Sequence, residues 1–179
     1  EIKKLLLLGA GSSGKSTFFK QLRCIHGVGF TEKDRRVFKE HISAQIIEQM
    51  NRSVECIPYY NERLPHDFEP LQLSKEGQES ARFMEEIGPE CLVNEELAQH
   101  IEILWKEDAI RQIFENRAIY HIDDSSAYFF DQIERIGDLD HYLPTDMDIL
   151  YVRYRTTGVI ESKFSILGSN FHIFDVGGQ

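Results

Sequence analysis

Ile2 to Leu8 is a short run, aliphatic but for Lys3 and Lys4, that stops at Gly9, where the chain continues Gly9-Ala-Gly-Ser-Ser-Gly-Lys15-Ser16. No other stretch narrows the possible folds so far. A run of this kind suits a strand buried in a sheet, and a helical pattern resumes from Lys15 to about Cys24. Strand, glycine-bearing loop and helix in that order satisfy G-x-x-x-x-G-K-[ST], in which the loop amides and the helix N-terminus hold phosphates. Lys15 would reach the β- and γ-phosphates, and the Ser16 hydroxyl would ligate Mg²⁺. The bland alternative is a flexible glycine turn with a solvated lysine. With glycine at about 7% of average composition, a chance match in one chain is on the order of one per cent, so the phosphate loop is preferred.

Gly27 and Gly29 break the first helix. Thr31 and Asp34 then form a capping-box pattern for a long helix whose Phe38, Ile42, Ile46 and Met50 recur every fourth residue. A different domain begins near Thr31. From there to about Asp148 the periods are helical. Pro58, Pro65 and Pro70 mark an irregular connection, and Ala81, Met84 and Ile87 share a helical face that stops at Gly88 and Pro89. Asn94 can cap a helix bearing Leu97, Ile101, Leu104 and Trp105. Asp108 can cap one bearing Ile110, Ile113 and Phe114, and Asp124 one bearing Phe129, Ile133 and Ile136.

After Pro144 the pattern changes again. Ile160, Phe164 and Ile166 alternate with Glu161, Lys163 and Ser165, Gly168 to Asn170 supplies a turn, and Phe171 to Val176 is a second strand. This hairpin is expected to rejoin the first strand. The fold class is therefore α/β, a phosphate-loop core formed by 1–30 and 149–179, interrupted by an inserted all-helical domain at 31–148.

Charge is divided in the same way. The net charge is −10, made up of +4 over residues 1–30, −15 over 31–150 and +1 over 151–179. An acidic balance disfavours a nucleic-acid partner, which needs clustered Lys and Arg. The longest aliphatic run, Leu5 to Leu8, is far short of the roughly 20 residues that span a bilayer, and no signal segment is read. Cys24, Cys56 and Cys91 are odd in number and far apart, so a reducing, cytoplasmic setting is expected in place of a disulfide framework. The seven histidines show no two-ligand spacing with a nearby acid, which argues against a transition-metal site. Tyr128, Phe129 and Phe130 read as core.

A phosphate loop needs a second acidic group to organise its metal, usually an Asp that ends a hydrophobic strand. Asp175 comes after Phe171-His-Ile-Phe174 and precedes Val176-Gly177-Gly178-Gln179, whose glycines would let backbone approach a terminal phosphate. On its own an Asp in this place more often caps a turn; beside the phosphate loop it reads as functional.

Three segments, Gly9 to Thr17, Asp148-Ile-Leu-Tyr-Val-Arg153-Tyr-Arg-Thr156-Thr-Gly158 and Asp175-Val-Gly-Gly-Gln179, resemble in order and spacing the α subunits of heterotrimeric G proteins. The likeness continues at Leu104-Trp-Lys106 and Asp124-Ser-Ser-Ala-Tyr128. It implies a Ras-like GTPase core with an inserted helical domain, GTP or GDP between them, and Mg²⁺. By that resemblance Gly11, Ser12, Ser13, Gly14, Lys15, Ser16 and Thr17 would wrap the phosphates, and Asp124 and Ser125 would face the nucleotide. Leu150, Tyr151, Val152, Arg153, Tyr154, Arg155 and Thr156 would form the first switch. Ser16, Thr156 and Asp175 would hold the metal. Asp175, Val176, Gly177, Gly178 and Gln179 would lie at the nucleotide, with the Gly178 amide on the γ-phosphate. Arg153 would act as an arginine finger in cis, and Gln179 would orient the attacking water.

A planar guanidinium suits developing phosphoryl charge better than a point-charge lysine does. Without the resemblance, Arg153 would read as a surface ion pair. Ser12 stands where the family's loop usually has Glu, which can pair with the switch arginine across bound diphosphate, so a looser clasp and faster nucleotide escape are expected. Tyr151 and Arg155 stand where Arg and Lys are common.

The resemblance also implies a βγ dimer, a receptor or other exchange factor, GTPase-activating regulators and effectors as partners, at the inner face of the plasma membrane. A membrane hold would come through a lipidated N-terminus that this chain does not show. Two other classes fit the loop: a phosphotransferase, for which the acidic insert is a poor lid, and a non-hydrolysing nucleotide binder, which would not need both Arg153 and Gln179. No Asn-Lys-x-Asp motif occurs, so guanine preference rests on the resemblance. Half a parallel sheet would expose apolar edges, so a longer parent chain is expected.

Overall fold

The computed structural model describes residues 2–10, 13–65, 69–153 and 158–176. Along the chain run β1 (Ile2–Leu7), α1 (Lys15–His26), α2 (Glu32–Asn61), α3 (Lys75–Glu85), α4 (Glu95–Lys106) and α5 (Asp108–Glu115). After them come α6 (Arg117–Tyr120), α7 (Ser126–Phe130), α8 (Ile133–Gly137), α9 (Asp146–Tyr151), β2 (Val159–Ile166) and β3 (Ser169–Val176).

Two compact units emerge: Glu1–Phe38 with Leu143–Gln179, and Lys39–Tyr142. Their limits fall inside the joins expected at Thr31 and Asp148. The side chains at both joins explain the difference, since the Phe38 ring meets Phe30 edge-on at 5.6 Å and Arg35 donates to the Pro144 carbonyl at 2.6 Å.

In the first unit β3 is the central strand, with β1 parallel on one side and β2 antiparallel on the other. The β2–β3 turn is two residues long, Leu167 and Gly168, with φ of 49° and 76°. Both are left-handed, as a turn that matches the strand twist requires. Ser169 and Asn170, expected in the turn, already pair with Ile166 and Ser165. Phe19 of α1 packs edge-on to Phe164 at 6.0 Å, and with Ile173 these rings form the unit's core.

β1 departs from its expected burial. Leu5 and Leu6 are 46% and 53% exposed, because among the described residues β1 pairs only with β3 and the core gathers over β2 and β3. Leu7 alone in β1 packs against that core.

In the second unit every element among the described residues is helical. Ile42, Ile46 and Met50 are buried as their spacing requires; so is Phe38 on the stretch of α2 that belongs to the first unit, where the Thr31–Asp34 box forms in both directions. Pro58 does not end α2, which runs through it to Asn61; buried Cys56 and Ile57 hold that last stretch against the cost of a proline in the helix. Asn94 caps α4 by accepting from the Leu97 amide. Asp108 instead starts α5, with Glu107 at the cap. The helix expected after Asp124 is two short ones, α7 and α8, and Asp124 caps neither because its carboxylate takes the Arg117 guanidinium.

Candidate functional site

The loop after β1 turns into α1 at Gly14, whose φ of 85° lies in the left-handed region that favours glycine. At Gly9 a Cβ would stand 2.7 Å from the Ser13 hydroxyl oxygen, so the Ser13 side chain would have to turn aside. Lys15 curls back over the loop, and its ammonium donates to the Gly9 and Ala10 carbonyls at 2.7 Å each and to the Ser13 hydroxyl at 3.4 Å. No acidic residue occupies the first turn of α1, so the positive end of that twelve-residue helix is not offset there.

Parallel pairing sets Leu7 beside Asp175, so the loop leaves the sheet at the end where β3 presents its carboxylate. Asp175 is 1% exposed, and the Ser16 hydroxyl donates to its Oδ2 at 2.7 Å. Ser16 and Asp175 are thus together. Among the described residues no group of three His, Cys, Asp or Glu could hold a metal. Mg²⁺ does not ask for one: it keeps waters and takes one or two carboxylates with phosphate oxygens. A hydroxyl oxygen beside a carboxylate is a hard donor pair that fits it.

One turn further along α1, Lys20 is buried at 4% exposure. Its ammonium donates to the Val152 carbonyl at 2.7 Å and faces the Phe38 ring 5.6 Å away. Burial pushes its amine down to about 8, against the upward pull of the Asp175 carboxylate. Val152 caps α9, a helix absent from the sequence expectation. That helix opens on a capping box in which the Thr145 amide donates to Asp148 at 2.8 Å and the Asp148 amide to the Thr145 hydroxyl at 3.2 Å. Arg35 pairs with Asp146 at the same end.

Of the residues expected at the site, Ser13, Gly14, Lys15, Ser16 and Thr17 lie in the loop and the first turn of α1. Leu150 and Tyr151 end α9, Val152 comes next, and Arg153 is exposed just beyond. Asp175 and Val176 end β3. Asp124 and Ser125 precede α7 in the second unit, where Ser125 accepts from Gln45 at 3.1 Å. Gly11, Ser12, Tyr154, Arg155, Thr156, Gly177, Gly178 and Gln179 lie outside the described residues. Sequence pattern alone does not single out Lys20 or Arg35; the pointer to Lys20 is its place four residues after Ser16, on the same face of one helix. Among the described residues no helix is long and apolar enough to cross a membrane.

The chain matches the family model described as G-protein alpha subunit over residues 1–179. It is 38% identical to the guanine nucleotide-binding protein alpha-16 subunit of Caenorhabditis elegans over 176 residues, covering 98% of this chain and 48% of that protein. With the alpha-2 subunit of Glycine max the identity is 37% over 187 residues, covering 99% and 48%. With the alpha subunit of Cochliobolus heterostrophus it is 35% over 181 residues, covering 98% and 48%. The chain therefore spans about half the length of these relatives. A match along the whole sequence, together with a lysine-bearing loop whose serine meets a strand-end aspartate, makes the chain a member of the G-protein alpha subunit family.

Proposed function

We propose that this chain belongs to a signalling switch that binds GTP and hydrolyses it to GDP and phosphate. The observation that carries the reading is the convergence of Lys15, Ser16 and Asp175 at one end of the sheet, with Ser16 and Asp175 joined at 2.7 Å. The relatives' names as guanine nucleotide-binding proteins supply the base. In this reading the first unit is a Ras-like GTPase core and the second an inserted all-helical domain.

Lys15 leaves the loop carbonyls for the β- and γ-phosphate oxygens, an exchange of neutral acceptors for anionic ones. Amides of the loop from Gly11 to Thr17 hold the phosphates. Ser16, Thr156 and Asp175 would hold Mg²⁺, which when bound neutralises charge on the phosphates. Gln179 orients a water for in-line attack on the γ-phosphorus, the bond to the β-phosphate oxygen breaks, and Arg153 and the Gly178 amide stabilise the charge that develops. The resemblance alone gives Asp124 and Ser125 nucleotide contacts. A βγ dimer, a receptor or other exchange factor, regulators and effectors would read the GTP and GDP states at the inner face of the plasma membrane.

Equilibrium binding of fluorescent GTP, GDP and ATP to the full-length protein, with and without Mg²⁺, tests this. Guanine nucleotides should outcompete ATP, and Lys15→Ala should weaken them. Equal affinity for ATP, or binding indifferent to Lys15, would contradict the reading.

A further inference from the structure

Ser16 and Lys20 project from the same face of α1, one turn apart, and each holds a different segment of the first unit. Ser16 bonds the end of β3 through Asp175, and Lys20 bonds the end of α9 through the Val152 carbonyl. That carbonyl belongs to the peptide plane that joins Val152 to Arg153, and a planar peptide moves as one body. Fixing its oxygen fixes the direction in which the Arg153 amide and Cα leave the helix.

The other side of Val152 is fixed as well. Its amide donates to the Asp148 carbonyl at 2.9 Å, its side chain is 2% exposed, and its ψ of 131° turns the chain out of α9. Upstream, Arg35 donates to the Pro144 carbonyl at 2.6 Å and pairs with Asp146. The segment from Pro144 to Val152 is therefore tied at both ends by cations from α1 and α2. Burying an ammonium is costly, and an apolar side chain would fill the same space without that cost. A lysine here is explained by what it holds: a charge-assisted bond in a water-poor setting is strong, and it leaves no buried carbonyl unmet.

We propose that Lys20 is the positioning residue for Arg153, linking the loop that opens α1 to the guanidinium through one rigid helix and one hydrogen bond. The inference rests on the reading of Arg153 as the arginine that acts on GTP. Lys20 acts through the Val152 peptide, to whose carbonyl its ammonium donates.

The test is a double-mutant cycle in the full-length protein, read by single-turnover GTP hydrolysis with Mg²⁺ and by GTP affinity. Lys20→Met should slow hydrolysis by roughly ten- to a hundredfold, the scale of a misplaced catalytic group, while affinity is kept. In an Arg153→Ala background the same change should cost less than about twofold, because the residue it positions is gone. Lys20→Arg, which keeps a charged donor, should restore most of the rate. Equal slowing in both backgrounds would mark a merely structural lysine and overturn the proposal. So would Arg153-dependent hydrolysis that Lys20→Met leaves untouched. Should Lys20→Met not accumulate as folded protein, Lys20→Gln carries the same cycle with the same criteria. Full-rate hydrolysis by Arg153→Ala overturns the functional reading itself and this proposal with it.

Discussion

Ser16 and Asp175 are 159 positions apart in the chain and share a hydrogen bond of 2.7 Å. One stands in the first turn of α1, just after the phosphate-type loop, and the other is next to last in the central strand. Their meeting results from the parallel pairing of β1 with β3, which sets both chain segments at the same end of the sheet.

Asp175→Asn removes the anionic acceptor while keeping the volume. The Mg²⁺ dependence of nucleotide retention should shift by at least roughly tenfold in concentration, because losing even a partner that supports a metal ligand costs about ten- to a hundredfold. Magnesium titration of the nucleotide release rate measures it. An unchanged midpoint would separate Asp175 from the metal.

At Gly14 the cost of a side chain is conformational. Among the described residues a Cβ there would meet nothing within 4 Å, yet φ is 85°. Gly14→Ala should lower stability by about 1–2 kcal/mol, as left-handed backbone costs an L-residue, and Gly14→Asn by less. Urea unfolding of the two variants gives the comparison; equal losses would show that something other than backbone strain is at work.

Gly137 is the reverse case. A Cβ there would lie 2.5 Å from the Cβ of Ala98 and 3.2 Å from the Asn94 carbonyl oxygen, so α8 could not keep its seat on α4. Gly137→Ala should destabilise the helical unit by about 1–3 kcal/mol, and adding Ala98→Gly should cost less than the two single changes summed. The chain's one tryptophan, Trp105 on α4, reports the transition by fluorescence. Strict additivity would mean that the two positions do not collide.

Much of this fold could be read from residue patterns, and the gaps have physical causes. The loop and both its flanks were legible because glycine, lysine and serine at fixed spacing admit few backbones. The start of α2 was legible because Thr31 and Asp34 cap each other locally, with the Thr31 amide donating to Asp34 at 2.9 Å. Helix α9 was not, since six residues hold less than two turns of pattern and the helix is steadied from outside by Arg35 and Lys20. Pro58 misled because tertiary burial outweighed its propensity. Asp124 misled because an arginine seven positions away in sequence took its carboxylate from the helix end. The meeting of Ser16 with Asp175 follows from the loop motif, which asks for a second acid at a strand end, and from the family resemblance; no local pattern records a contact across so long an interval.

Lys20 also carries a pH signature. Its amine stands at about 8 in the folded chain against 10.5 for a free lysine. Between those values the unfolded chain holds a proton that the folded chain has released, so this group's share of stability rises with pH across the window, by about 3 kcal/mol in all. Below pH 8 the full burial penalty is present. Urea midpoints from pH 7.5 to 10.5 should therefore climb more steeply, or fall less, in the parent than in Lys20→Met. Parallel profiles would mean that burial does not cost the lysine its proton.

The most direct test of the whole account is single-turnover hydrolysis of GTP and of ATP by the full-length protein, with Arg153→Ala and Gln179→Leu beside it. The expected result is GTP-selective, Mg²⁺-dependent turnover that each change suppresses by at least about a hundredfold, the loss typical of a missing transition-state contact, while GTP still binds. Hydrolysis that proceeds equally well without the guanidinium and without the glutamine would contradict it.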